Sequence, residues 1–351
     1  MSTILSEKKT LSPWAKGGIG LGAGALLLVL VGLLFPTAAA FFPLVSLWCS
    51  CVLFYGALWV LHTAGVELDF FHRAAIIAFW AGAVLYFYWA LGRRQFIYVW
   101  DYANYLIKQY NAEAAFALGP MAGFQFIFSS LADDYTNFIT LFTEFPFCLT
   151  ARTGDSFSFS QVFSVLPTLM VLLAGLVIKI GQMLQVKNRF WYFLIGFSWT
   201  LTYPWLRMSA VLAQPDWFGL IFAFAILLLT LDYRFEKLEP GRFVLIFLAT
   251  AAIILSRRWY LYFVVGYYFS YALLLFVSSA KLAKQGQKGL ALRRVRNLIL
   301  FGVCAMAAMV VLLWPMVSKI LAFNYSDRYS YYNVGGIAAV SYTHLTLPTN
   351  S

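Results

Sequence analysis

Long apolar runs recur along the chain and are separated by short polar stretches. Because a helix needs about 20 apolar residues to cross a bilayer, these runs predict about nine transmembrane helices. The runs are 17–35, 40–61, 74–92, 162–183, 190–206, 214–231, 243–256, 259–277 and 297–316. Two of them, 190–206 and 243–256, are short enough that we expect a tilted, broken or extended helix. The pattern predicts an all-α polytopic membrane protein.

The segment 93–161 interrupts this pattern, since it is too long for a simple connector and rich in aromatic residues. It holds six of the 14 acidic residues: Asp101, Glu113, Asp133, Asp134, Glu144 and Asp155. Its aromatic clusters at 96–107 and 124–128 are typical of short interfacial helices, which can roof a cavity at the level of the lipid headgroups. A re-entrant pair or a simple interfacial belt is the alternative.

Composition agrees with a membrane protein. The chain is 62% hydrophobic and 11% charged, with a mean hydropathy of +0.78, whereas about a quarter of the residues in soluble domains are charged. The net charge of +11 could indicate a nucleic-acid partner. However, the basic residues cluster between apolar runs, as the positive-inside rule expects. We therefore predict a lipid bilayer as a partner and no nucleic acid.

The strongest basic cluster predicts the orientation of the chain. It lies in the loop 278–297 and consists of Lys281, Lys284, Lys288, Arg293, Arg294 and Arg296. The positive-inside rule places such a loop in the cytoplasm. Counting spans from there puts the N-terminus inside and puts 93–161, 207–215 and the Arg257–Arg258 turn outside.

Three regions follow from this topology. Residues 1–73 form an N-terminal cytoplasmic tail and a first transmembrane hairpin, and residues 74–339 form the transmembrane core. The run 19–35 followed by three alanines imitates a secretory signal, but we favour an uncleaved first span. Residues 340–351 resemble translated sequencing-adapter DNA, so we expect a non-native tail and a natural protein that continues beyond it.

Asp101 lies just beyond the outer end of a predicted span, in Trp100-Asp101-Tyr102. A carboxylate among aromatic side chains near lipid tends to have a raised pKa, which suits a general base for a hydroxyl group. The alternative is that Asp101 only caps the helix that follows it.

Arg257 and Arg258 follow an apolar run at the membrane edge that the positive-inside rule disfavours for cations. Guanidinium groups bind phosphate bidentately, so this pair could hold the phosphate of a lipid-linked substrate. The alternative is snorkelling of both side chains to lipid headgroups.

Three further acids are weaker candidates for binding an acceptor or a metal. Asp216 follows Pro215 at the start of a predicted span. Proline and acidic residues are both common in the first turn of a helix, so this position needs no functional explanation. Asp133 and Asp134 could orient an acceptor or bind a divalent cation together with a substrate phosphate, or form a solvated acidic turn. No Cys, His and carboxylate cluster has the spacing of a zinc site.

Three motifs together resemble the GT-C membrane glycosyltransferases. They are Trp100-Asp101-Tyr102 in the first large outer loop, Pro215-Asp216-Trp217 entering an apolar span, and Leu255-Ser256-Arg257-Arg258-Trp259 ending an apolar helix. The chain looks most like the family 39 group of bacterial protein-mannosyltransferase-like and aminoarabinose-transferase-like enzymes. The resemblance covers roughly residues 74–316.

This resemblance implies an inverting transfer of a sugar from a polyprenyl-phosphate donor to a lipid, glycan or protein acceptor of the cell envelope, at the outer membrane face. By position, Asp101 would be the base, and Arg257 and Arg258 would contact the donor phosphate. Two alternatives are a transporter or flippase of lipid-linked sugars and a non-catalytic assembly protein. Transporters tend to carry repeated halves and ionisable residues at the midplane of the bilayer.

Overall fold

A computed structural model describes residues 13–35, 40–90, 93, 101–132, 136–203, 216–257, 260–312 and 314. Within these ranges every regular element is a helix. Several residues singled out above lie outside them: Asp133, Asp134, Arg258, the aromatic run 96–100 and the tail 340–351.

The described ranges contain α1 to α13, and a 3-10 turn at Ser130–Ala132 follows α5. Their bounds are α1 Pro13–Leu34, α2 Phe41–Thr63, α3 Phe70–Ala90, α4 Asp101–Ala117, α5 Pro120–Ser129, α6 Thr140–Phe147, α7 Gly154–Ser164, α8 Leu166–Met183, α9 Arg189–Leu201, α10 Asp216–Thr230, α11 Pro240–Ser256, α12 Tyr260–Lys284 and α13 Lys288–Leu312.

Local sequence explains where several of these helices begin and end. The Thr153 hydroxyl accepts a hydrogen bond from the Ser156 N–H and so caps α7. Proline occupies the first turn of α5, α8 and α11, where no N–H is needed. Two helices are followed by a glycine in the left-handed region, at Gly65 after α2 and at Gly286 after α12.

Six of the described helices are long and apolar enough to cross a membrane, namely α1, α2, α3, α8, α12 and α13. The other three predicted spans coincide with α9, α10 and α11, which have 13, 15 and 17 residues. The prediction of an all-α membrane protein with several spans therefore agrees with the structure. The total of nine stays a prediction.

The centre of the bundle is α8. In its most apolar window 61% of the residues are buried, against 0% in α1 and 6% in α13. It packs against α2, α9 and α10, and α10 in turn packs against α11. Protein therefore surrounds α8, whereas α1 and α13 present apolar side chains to the surroundings, as helices in contact with lipid do.

One end of the bundle is tied together by Lys179 and is called the Lys179 end below. The Lys179 ammonium donates to the Ala64 carbonyl at 2.7 Å and pairs with Asp232. Arg242 donates to the Thr63 carbonyl at 2.8 Å and lies 3.6 Å from Asp232. The last turns of α2 and α8 and the connection between α10 and α11 therefore meet here.

The opposite end is called the Arg257 end. It carries the last turn of α11, the first residues of α10 and α12, and the helices α4 to α7 of the acidic and aromatic segment. In that segment the Phe145 N–H donates to the Ser46 hydroxyl at 3.1 Å, which ties α6 to α2. The predicted run of short helices over 93–161 is thus present from residue 101 onward.

Candidate functional site

Arg257 lies directly after α11 and is held by the first residues of two other helices. Its Nη1 is 3.0 Å from Oδ1 of Asp216, the first residue of α10. The hydroxyl of Tyr260, which opens α12, donates to the Asp216 carbonyl at 3.1 Å and lies 3.4 Å from Oδ1. The side chains of Arg257 and Asp216 are 19% and 30% exposed, so the pair is mostly shielded from solvent.

A glycine makes this arrangement possible. A Cβ atom added to Gly219 would lie 1.9 Å from Cζ of Tyr260. Such a distance is far inside van der Waals contact, so Tyr260 can reach Asp216 only because position 219 carries no side chain. The contact fixes the start of α12 against α10, and with it the surroundings of Arg257.

These contacts bear on two predictions from the sequence. Arg257 does have a specific partner at this end of the bundle, and that partner is Asp216. Asp216 lies in the first turn of α10, as expected for a helix start, and its carboxylate also accepts from Arg257 and Tyr260. The role of Arg257 toward a phosphate and the role of Asp216 toward an acceptor or metal stay predictions.

Asp101 is the first residue of α4, so the helix begins one residue earlier than the capping alternative places it. Its side chain lies outside the described part of the structure, as do Arg258, Asp133 and Asp134. Further along α4, the side chains of Tyr105 and Gln109 are buried, at 1% and 0% exposed.

The structure also shows a buried polar cluster that sequence reasoning missed. The Gln109 amide donates to Oε2 of Glu144 at 2.7 Å, and the Thr143 hydroxyl donates to the Gln109 carbonyl oxygen at 2.6 Å. Glu144 is only 2% exposed. The sequence marked Glu113 and Glu144 as acids of this segment, but nothing in it showed that the two would meet.

Glu113 completes this cluster. Its carboxyl group hydrogen-bonds to that of Glu144 and lies 3.6 Å from Nε of Arg152. Burial, followed by the repulsion from Glu113, raises the pKa of Glu144 to about 8. Burial also raises the pKa of Glu113, while Arg152 opposes that shift. A carboxyl group with this pKa is mostly protonated at neutral pH, so the Glu144 side chain is largely neutral there.

Two hydrogen bonds link α4 to the end of α11, close to Arg257. The Lys108 ammonium donates to the Asn137 carbonyl oxygen at 2.8 Å. The hydroxyl of the neighbouring Thr136 donates to the carbonyl of Leu255, two residues before Arg257. The helix that starts at Asp101 and the helix that ends before Arg257 are therefore linked within one polar region.

No metal centre is formed by the residues that the structure describes, among which no group of three or more His, Cys, Asp or Glu side chains could hold an ion. Glu113 and Glu144 supply two carboxyl groups, which is fewer than the three side chains of such a group. The predicted cation site at Asp133 and Asp134 lies outside the described ranges.

A large cavity lies at the other end of the bundle, where sequence analysis predicted none. It has a volume of about 1650 Å³ and is lined by parts of α2, α3, α8 and α9. Its position beside His62, Gly181 and Gln182 places it at the Lys179 end, far from Arg257. The cavity and the Arg257 cluster are thus separate features.

Comparison of the chain with protein-family models, with curated proteins and with solved structures finds no match. The resemblance to GT-C glycosyltransferases therefore rests on the three sequence motifs alone.

Proposed function

We propose that the Arg257 end binds the phosphate of a polyprenyl-phosphate-linked sugar and transfers the sugar to an acceptor hydroxyl group. Asp101 takes the proton of that hydroxyl, whose oxygen attacks the anomeric carbon of the sugar. The bond from this carbon to the phosphate oxygen breaks, and the phosphate leaves with the electron pair. Arg257 and Arg258 stabilise the charge that develops on the leaving phosphate.

The observation that carries this proposal is the fixed position of Arg257. Electrostatic catalysis works best when the charged group is already in place before the reaction. Asp216 and Tyr260 supply that fixation at the end of an apolar helix, where the lipid tail of a donor would lie. The same contact between Asp216 and Arg257 offsets part of the cationic charge, so the affinity for phosphate depends on Asp216.

A second support is that the helix beginning at Asp101 is linked to the helix ending before Arg257. Helix α4 carries Lys108, which donates to Asn137, and the neighbouring Thr136 donates to the Leu255 carbonyl near the end of α11. A base and a phosphate clamp must lie at one end of the bundle for an in-line transfer. In the proposed topology this is the outer face of a bacterial cell membrane, with the N-terminus in the cytoplasm.

A reconstituted system tests this proposal. Protein in liposomes is supplied with a panel of polyprenyl-phosphate-linked hexoses and pentoses, and both transfer products and movement of donor between leaflets are measured. The proposal expects a new glycosylated acceptor. Movement of the donor between leaflets without any transfer product would contradict it and would favour the transporter alternative.

A further inference from the structure

The cavity at the Lys179 end lies between α2 and α3, with α8 as its floor. Its deep wall is apolar and includes Phe54, Leu58, Ile76, Ile77, Val171 and Ile178. Its rim is polar and is formed by the connection 65–69 and by residues at the ends of α3, α8 and α9. The cavity therefore changes from polar to apolar along one direction, which is the direction of the helices.

The apolar part is about as deep as one leaflet of a bilayer. From His62 at the rim to Phe54 in the wall, α2 advances by eight residues, which is about 12 Å at 1.5 Å per residue. Half of the hydrocarbon core of a membrane is about 15 Å thick. A small water-soluble ligand would leave most of this wall uncovered, whereas the acyl chains of a lipid would cover it.

The rim carries charges of both signs. Arg73 and Arg189 are positive, Glu67 and Asp69 are negative, and all four residues are exposed at the mouth of the cavity. Their charges sum to zero, in contrast to the lysines at the facing ends of α12 and α13. Trp14 also lines the mouth and stacks on His62 with 4.7 Å between the rings, a position typical of aromatic residues at the level of lipid headgroups.

We propose that this cavity binds one phosphatidylethanolamine molecule from the adjacent leaflet. Its phosphate would contact Arg73 and Arg189, and its ammonium group would donate hydrogen bonds to Glu67 and Asp69. Its acyl chains would lie along α2, α3 and α8. Phosphatidylglycerol offers no cation to the two carboxylates, so it fits this rim less well. This inference is independent of the proposed sugar transfer.

Native mass spectrometry tests the inference with delipidated protein in detergent. Equal amounts of phosphatidylethanolamine and phosphatidylglycerol are added, and the lipid retained per protein is counted. We expect one phosphatidylethanolamine at about tenfold higher occupancy than phosphatidylglycerol, the ratio that about 1.4 kcal/mol of headgroup recognition gives. Equal retention of the two lipids would overturn the headgroup assignment.

Two variants of one helix locate the bound lipid. Ile77→Trp places a large side chain on the cavity wall, and Leu85→Trp places it eight residues later on α3, outside the lining. Both positions are similarly exposed, at 61% and 66%. We expect Ile77→Trp to lower retention of phosphatidylethanolamine about tenfold and Leu85→Trp to leave it unchanged. Equal retention by the two variants would show that the lipid binds elsewhere and would contradict the inference.

The rim charges give an independent check. Arg73→Gln with Arg189→Gln leaves two carboxylates that repel a phosphate, so we expect loss of about tenfold in retention of phosphatidylethanolamine. Glu67→Gln with Asp69→Asn leaves two arginines, and we expect the preference to turn toward phosphatidylglycerol. An unchanged preference in both double variants would contradict the assigned headgroup contacts.

Discussion

Arg257 and Asp216 are 41 residues apart in the sequence, and their side chains form an ion pair with 3.0 Å between Nη1 and Oδ1. The pair joins the end of α11 to the start of α10. A guanidinium at this position can serve structure alone, by neutralising Asp216, or can also bind an anionic substrate. Substitutions at the two residues distinguish these roles. If Arg257 binds a phosphate, removing the charge of Asp216 should strengthen phosphate binding and replacing Arg257 should weaken it.

Asp216→Asn is expected to strengthen binding of polyprenyl monophosphate by about threefold to tenfold. The amide can still accept from Arg257, but the carboxylate that competes with the phosphate for the guanidinium is gone. Arg257→Lys is expected to weaken binding about tenfold, because an ammonium group lacks the bidentate fork. Arg152→Lys, at the same end of the bundle, is the matched control and should change affinity little. Unchanged affinity in both Arg257→Lys and Asp216→Asn would leave Arg257 a purely structural role.

Gly219→Ala is expected to destabilise the protein by about 1–3 kcal/mol, the usual range for overpacking. The new methyl group would displace Tyr260 from Asp216, since the added Cβ would lie 1.9 Å from the ring. Gly266→Ala is the control, because a Cβ there meets nothing within 4 Å, and in the middle of α12 it should be neutral or stabilising. Thermal unfolding in detergent measures both variants, and equal melting temperatures would contradict the close contact at Gly219.

Stability is expected to fall with rising pH because of Glu144. Its pKa is about 8 in the folded protein against 4.5 for the free side chain, so the folded state binds more protons between these values. Stability is therefore lost as pH rises from about 4.5 to 8, by up to about 1.4 kcal/mol per pH unit. Glu144→Gln should flatten this dependence and should be relatively more stable at pH 8.

Glu67→Gln is the control for this measurement, since Glu67 is exposed at the opposite end. Melting temperatures between pH 5 and about 8.5 would reveal the slope. The same slope in Glu144→Gln as in the unchanged protein would show that Glu144 is not the group that titrates.

The sequence predicts the membrane helices well because their signal is local. The runs that became α2, α3 and α12 contain enough apolar residues to be recognised without any tertiary information. The helices α9, α10 and α11 are harder to recognise as spans, since each has fewer than the roughly 20 residues that cross a bilayer. The burial of α10 and α11 depends on packing against neighbouring helices, and the apolar pattern of the sequence does not identify those neighbours.

The candidate site could be predicted only in part for a related reason. Sequence reasoning selected Arg257 because a cation at a disfavoured membrane edge is visible in the chain alone. The pairing of Arg257 with Asp216, and of Glu144 with Glu113 and Gln109, joins distant segments and requires the fold. Gly219 gave no signal either, because its role depends on where the ring of Tyr260 lies.

The central claim is that Asp101 is the base of a sugar transfer, and single-turnover transfer by Asp101→Asn tests it most directly. Asp155→Asn is the matched control, because Asp155 also lies in the first turn of a helix of the same segment. If Asp101 is the base, Asp101→Asn should lower the rate by about a hundredfold or more, the usual contribution of a general base, while Asp155→Asn keeps its rate. Transfer by Asp101→Asn at the rate of Asp155→Asn would reduce Asp101 to a helix cap and would contradict the account.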